Sequence, residues 1–60
     1  MIAIYKYNEV VNLKVGEYED LETAKVVMRR ESKANHDYIY AAYENNKVIA
    51  TGIQGMVVTQ

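Results

Sequence analysis

The sequence predicts an α+β domain with the order ββαββ, built as a four- to five-stranded, mainly antiparallel sheet with one helix packed on one face. Three observations predict this fold. Apolar residues alternate near both ends of the chain, as in half-buried strands. Between residues 21 and 34 their spacing changes to that of a helix. A pair of asparagines then separates two runs rich in Tyr, Ile, Val and Thr.

The chain length fits a single domain spanning residues 1–60. A domain of this size buries only about 60% of its unfolded surface, so its stability is small. The sequence has no Cys and one His, which excludes disulfides and thiolate metal sites. Oligomerisation is the remaining device that small domains commonly use.

The first hairpin is predicted from Met1 to Tyr18, with its turn at Asn8-Glu9. Counting outward from that turn places Ile4 opposite Leu13 and Ile2 opposite Val15, which gives one aliphatic face. The opposite face is expected to carry Ala3, Tyr5, Tyr7, Val10, Asn12 and Lys14.

A helix is predicted from Leu21 to about Ala34. Asp20 is a suitable N-cap, and Asn35 is expected to end the helix in a left-handed conformation. Val26 is expected to point into solvent. One side carries a narrow, mainly apolar stripe, formed by Leu21, Ala24, Val27, Met28 and Glu31.

The second hairpin is predicted around a type I′ turn at Asn45-Asn46, with Glu44 opposite Lys47. Counting outward sorts its residues into two faces. One has small residues at its centre and is expected to receive the helix: Ile39, Ala41, Tyr43, Val48, Ala50 and Gly52. The other is bulkier and is expected to be free of the helix: Tyr38, Tyr40, Ala42, Ile49, Thr51 and Ile53.

The favoured order of the four hairpin strands is second-first-third-fourth, all antiparallel. The alternative is sequential order with a parallel pair in the middle. In either case the helix connection is expected to be right-handed. After a turn at Gln54-Gly55, residues Met56 to Val58 are expected to form a short, uncharged edge strand that could pair with another chain.

The helix-free face is predicted to be a protein interface, and a homodimer is expected to bury it. Aromatic and aliphatic side chains favour this interpretation, since tyrosine is enriched at protein interfaces. The expected centre comprises Tyr5, Tyr7, Tyr38, Tyr40, Ile49 and Ile53. A nucleic-acid-binding module that stacks bases on the tyrosines is the alternative, but the face offers only Lys14 as a cation.

The sequence predicts no catalytic residues, no metal and no cofactor, and therefore no enzyme. His36-Asp37 could perform acid–base chemistry, but a polar loop is the simpler interpretation, and nearby Ser32 is expected on the helix surface. Glu17, Glu19 and Asp20 lack the spacing of a calcium loop. The glycines are isolated, so no phosphate-binding loop is expected.

The formal net charge of −1 provides no general attraction for phosphate or anionic lipid. No apolar run reaches the length of a membrane span, and no charged segment precedes an apolar one as in a signal peptide. These features predict a cytoplasmic protein without membrane contact.

The acidic helix start at residues 18–25, YEDLETAK, and the Tyr-rich strand that ends in ENNKVIA carry a resemblance. Together with the layout they resemble short phage and prophage proteins, some of which inhibit bacterial defence systems, the anti-Hachiman class among them. The resemblance implies a non-enzymatic, often homo-oligomeric protein that binds a larger target in the host cytoplasm. It carries over no functional residues. If self-association occupies the sheet face, the expected second surface comprises Glu22, Lys25, Val26, Arg29, Arg30 and Lys33.

Overall fold

A computed structural model describes all 60 residues as one five-stranded sheet with a single helix on one face. The first hairpin comprises β1 and β2, the helix α1 follows, and the second hairpin comprises β3 and β4. A fifth strand, β5, follows a tight turn. Their bounds are β1 Ile2–Tyr7, β2 Asn12–Tyr18, α1 Leu21–Ala34, β3 Ile39–Glu44, β4 Lys47–Ile53 and β5 Met56–Thr59.

The strand order is β2-β1-β3-β4-β5, and every neighbouring pair is antiparallel. This confirms the α+β class and the favoured order of the first four strands. The two hairpins join through β1 and β3, so the connection through α1 passes over β1. The short fifth strand lies at one edge of the sheet, as expected.

Helix α1 begins where the sequence predicts, because Asp20 caps it. The Asp20 carboxylate accepts hydrogen bonds from the Thr23 backbone N–H at 3.0 Å and from the Thr23 hydroxyl at 2.9 Å. The helix ends at Asn35, but not in a left-handed conformation, since φ is −131° and ψ is 85°. Instead, the backbone N–H and the side-chain amide of Asn35 both donate to the Glu31 carbonyl. The helix therefore ends with a hydrogen bond from the Asn35 side chain instead of a left-handed C-terminal residue.

The second hairpin has the predicted turn but not the predicted register. Asn45 and Asn46 have φ values of 54° and 65°, as a type I′ turn requires, and Glu44 pairs with Lys47. Tyr43 pairs with Val48, but the next residue, Ile49, has no partner in β3, and Ala50 pairs with Ala42. This β-bulge adds one residue to β4. The predicted pairs beyond it are therefore wrong by one position.

The first hairpin also departs from the simple count. Its loop contains four residues, 8–11, and the Asn8 side chain stabilises it by accepting hydrogen bonds from the N–H groups of Val10 and Val11. A second bulge leaves Val15 unpaired in β2. Leu13 pairs with Lys6, not with Ile4, because the loop is two residues longer than predicted.

The core lies between α1 and the sheet face opposite to the one predicted for β3. Tyr40 and Ala42 of β3, with Ala50 of β4, are fully buried beneath the helix. The helix contributes the predicted Ala24, Val27 and Met28, and also Ser32. Ser32 was expected on the helix surface but is fully buried. Val26 is exposed, as predicted.

Helix α1, the one helix in the chain, is neither long nor apolar enough to cross a membrane.

Candidate protein-binding surface

One face of the sheet has no helix over it, and we call it the open face. Its residues follow from the alternation of side chains along each strand and from the observed register. Four strands, β1, β3, β4 and β5, supply apolar and uncharged side chains to the open face: Ala3, Tyr5, Tyr7, Ile39, Ala41, Tyr43, Val48, Thr51, Ile53, Met56 and Val58. Edge strand β2 adds Asn12, Lys14 and Glu17.

An aromatic pair forms the middle of the open face. The rings of Tyr5 and Tyr43 meet edge to face, with centroids 5.7 Å apart and an interplanar angle of 89°. Ala41 lies directly opposite Tyr5 and two residues from Tyr43, and it is only 3% exposed although no helix covers it. The two rings therefore shield the small residue that lies beside them.

Towards β5 the open face becomes aliphatic and more exposed. Ile53 is 45% exposed, Val58 60% and Met56 72%. Ile53 pairs with Met56 and Thr51 with Val58, so these side chains are cross-strand neighbours on one surface. Together with the tyrosines they form an apolar strip that runs across four strands, with Ala41 and Thr51 between its two ends.

The charges on the open face are confined to β2. Lys14 and Glu17 form an ion pair with each other. The hydrogen bond between them raises the pKa of Lys14 and lowers the pKa of Glu17. The cation of the face is thus already neutralised by a neighbour, which leaves little positive potential for a phosphate group.

Three of the six predicted centre residues lie on the open face, and three do not. Tyr5, Tyr7 and Ile53 are placed as predicted. The placement predicted for Tyr40 is wrong. The bulge shifts the register, so Tyr40 lies beneath the helix, where it is fully buried.

Tyr38 and Ile49 also pack against the helix-side core rather than the open face. The Lys6 ammonium lies 4.8 Å from the centre of the Tyr38 ring, a cation–π contact on the helix side of the sheet. Tyr43 and Val48 take their places on the open face. The bulge at Ile49 is the reason why these residues lie on other faces than predicted, and no local sequence pattern marks it.

The Tyr40 hydroxyl is buried and makes no hydrogen bond of normal geometry, although the Glu31 and Asn35 side chains lie near it. Burial raises the pKa of this phenol, and the nearby Glu31 carboxylate raises it further. The hydroxyl therefore stays protonated at neutral pH, which suits a core residue and not a reacting one.

His36 and Asp37 lie in the exposed loop between α1 and β3. The Asp37 carbonyl accepts a 3.4 Å hydrogen bond from the Asn8 side chain, which ties this loop to the first hairpin. Neither the imidazole nor the carboxylate has a hydrogen-bond partner that would orient it for acid–base chemistry. No three His, Asp or Glu side chains come together as a metal site.

The residues of the predicted second surface lie on α1. Val26 is 53% exposed, and Lys25 forms a 3.6 Å ion pair with Glu22. Arg29, Arg30 and Lys33 are exposed near the C-terminal end of the helix. This outer side is charged and lies opposite to the open face.

Neither a protein-family model, nor a curated protein, nor a solved structure matches this chain.

Proposed function

We propose that this chain is a small non-enzymatic protein that acts by binding other proteins, with the open face as its principal contact surface. The observation that carries the proposal is the apolar strip of Tyr5, Tyr43, Ile53, Met56 and Val58, which no part of the chain covers. Exposed apolar surface of this kind is typical of interaction sites. A central aromatic pair with an aliphatic surround is also the composition of an interface core.

The first occupant of the open face is a second copy, giving a homodimer. A standard interface takes about 800 Å² from each partner. That is about a fifth of the 4077 Å² surface of this chain. The open face is one broad side of a molecule that measures 25 × 19 × 18 Å, so a dimer would occupy most of it. Burying several of its side chains, at about 1.5–3 kcal/mol each, would add substantially to the stability of so small a domain.

The second partner is a larger host protein, in the manner of the phage-encoded inhibitors that the sequence resembles. The outer side of α1 supports this role once the open face is occupied. It presents Arg29, Arg30 and Lys33 beside exposed Val26, a mixed surface that suits an acidic partner patch. The site of action is then the host cytoplasm.

The experiment compares two substitutions of similar exposure on opposite sides of the molecule. Ile53→Lys places a charge on the open face, and Val26→Lys places the same charge on the outer side of α1. We expect Ile53→Lys to lower the mass measured by light scattering and Val26→Lys to leave it unchanged, with both variants folded by circular dichroism. A wild-type chain that remains at 6.9 kDa at high micromolar concentration would overturn the self-association.

Nucleic-acid binding is the competing outcome. Labelled single- and double-stranded oligonucleotides, titrated at two salt concentrations, test it directly. Affinity that falls steeply with salt and disappears in Tyr5→Ala would replace the protein-binding proposal. Recovery of one host protein by wild-type chain, with loss in Val26→Lys or Arg30→Glu, would assign the helix surface to the target.

A further inference from the structure

The two edges of the sheet differ in a way that bears on assembly. Edge strand β2 contains a bulge at Val15 and the charged pair Lys14 and Glu17. Bulges and charges are the devices by which proteins prevent edge-to-edge pairing. Edge strand β5 has neither. Its residues are Met56, Val57, Val58 and Thr59, with no charge, no proline and a regular register against β4.

The register identifies which backbone groups of β5 are free. The Gln60 N–H donates to the Ile49 carbonyl at 2.9 Å. In an antiparallel pair, hydrogen-bonded residues alternate with non-hydrogen-bonded ones. Counting from Gln60, Val58 also bonds to β4, whereas Val57 and Thr59 direct their N–H and C=O groups away from the sheet. Two residues of β5 therefore present a complete set of unpaired backbone donors and acceptors.

We propose that β5 is a self-association site, at which two copies pair antiparallel and join their sheets into one of ten strands. The two-fold axis passes between Val58 and Val58 of the second copy. Val57 then lies opposite Thr59 of the second copy, and Thr59 opposite its Val57, so each pair exchanges two backbone hydrogen bonds. This register uses every free group identified on Val57 and Thr59.

A second copy is the partner that this edge fits best, because the antiparallel pairing is self-complementary. Residues opposed across the axis are uncharged, so no like charges meet. Val58 meets Val58 of the second copy on the open face, which extends the apolar strip without a break. The bulged and charged β2 edge offers no equivalent site, so the pairing closes after two copies instead of continuing as a fibre.

The edge contact is separate from the open-face contact of the proposed function. The axis of the edge pair is perpendicular to the sheet, whereas a partner on the open face stacks above it. With both contacts formed, two ten-stranded sheets stack face to face, and the assembly contains four copies.

The test combines one pair of variants with amide exchange. Thr59→Pro removes an outward N–H that makes no bond within the chain, and Thr59→Ala retains it. We expect Thr59→Pro to halve the assembled mass and Thr59→Ala to leave it unchanged. In the wild type, the Val57 and Thr59 amides should exchange as slowly as that of Val58.

The outcomes separate the two contacts. Rapid exchange at Val57 and Thr59 beside slow exchange at Val58 would overturn the edge proposal, as would an unchanged mass in Thr59→Pro. Such a result leaves the open face untouched, and Ile53→Lys then still lowers the mass. Conversely, protection at Val57 and Thr59 that survives in Ile53→Lys supports the edge contact even where the open-face contact fails.

Discussion

The hydroxyl of Ser32 in α1 accepts a 2.9 Å hydrogen bond from the backbone N–H of Gly55 in the β4–β5 turn. The same hydroxyl is 3.4 Å from the Arg29 carbonyl, to which it donates. Ser32 is fully buried, so this bond is shielded from water. The Ser32–Gly55 hydrogen bond joins the C-terminal part of α1 to the turn before β5 and thereby holds the edge strand in position.

Replacing Ser32 by alanine should destabilise the fold. The Gly55 N–H would lose its partner at a partly buried position, which costs about 1–3 kcal/mol. Denaturant unfolding measures the loss, and exposed Arg30→Ala is the control. An unfolding midpoint equal to that of the wild type would show that the bond contributes nothing.

Replacing Tyr40 by phenylalanine should maintain or raise stability. Its hydroxyl is buried without a partner, and removing such a group relieves a cost of about 1–3 kcal/mol. We expect a net gain of about 1 kcal/mol, whereas Tyr40→Ala should lose about 3–5 kcal/mol through the cavity it leaves. Tyr43→Phe, on the half-exposed open face, serves as the control.

A spectroscopic titration provides a second measurement on Tyr40. Burial raises the pKa of its phenol, so its ionisation should appear above the ordinary range of a tyrosine side chain. Tyr40→Phe should abolish that step. A high-pH titration that is the same in the wild type and in Tyr40→Phe would contradict the buried position.

The two glycines of the β4–β5 hairpin should respond to alanine in opposite ways. At Gly52 a methyl group would meet Met28 and Tyr40 at 3.5–3.6 Å, which is ordinary contact. Gly52→Ala should therefore be neutral or gain up to about 1 kcal/mol, because it reduces the freedom of the unfolded chain. Thermal unfolding with circular dichroism detects it. A loss above about 1 kcal/mol would mean that this contact is tighter than the distances indicate.

At Gly55, φ is +87° and a methyl group would lie 3.3 Å from Lys33, so Gly55→Ala should cost about 1 kcal/mol or more. The same thermal measurement applies. A stabilised Gly55→Ala would contradict the strained conformation of the turn.

The cap at Asp20 should make stability depend on pH in acid. Hydrogen bonds from the Thr23 backbone and hydroxyl lower the pKa of the Asp20 carboxyl in the folded state. The contribution of the ionised Asp20 carboxylate to the free energy of unfolding is therefore complete above the unfolded pKa of about 3.9. It is lost as the pH falls through the lower pKa of the folded state. Asp20→Asn retains a capping oxygen that does not titrate. The wild type should exceed this variant at pH 7, and the difference should shrink below about pH 4.

Turn and cap chemistry made much of the fold predictable from sequence. Asp20 marked the start of the helix, and Asn45-Asn46 marked the second hairpin, because few residues other than asparagine and glycine accept positive φ at both positions. The strand order followed from joining the two hairpins at β1 and β3.

The assignment of faces was less predictable. A side chain changes face with every one-residue shift in register, so the unpaired Ile49 was enough to move Tyr40 from the predicted open face into the core. Nothing in the sequence around Ile49 distinguishes a bulge from a regular strand. In the first hairpin, the Asn8 side chain stabilised a longer loop than the alternation of apolar residues indicated.

Ile49 and Val15 have a further consequence for how the length of this chain can vary. Ile49 has no partner in β3 and Val15 has none in β1, and the pairs on both sides of each residue are already those of a regular ladder. A chain lacking Ile49 would join Val48 to Ala50 and keep Tyr43 opposite the former and Ala42 opposite the latter. Relatives that are one residue shorter in β2 or β4 would therefore preserve the register and the open face, and would lose only one partly buried side chain that packs beside the core. An alignment of such relatives should place its gaps at these two positions.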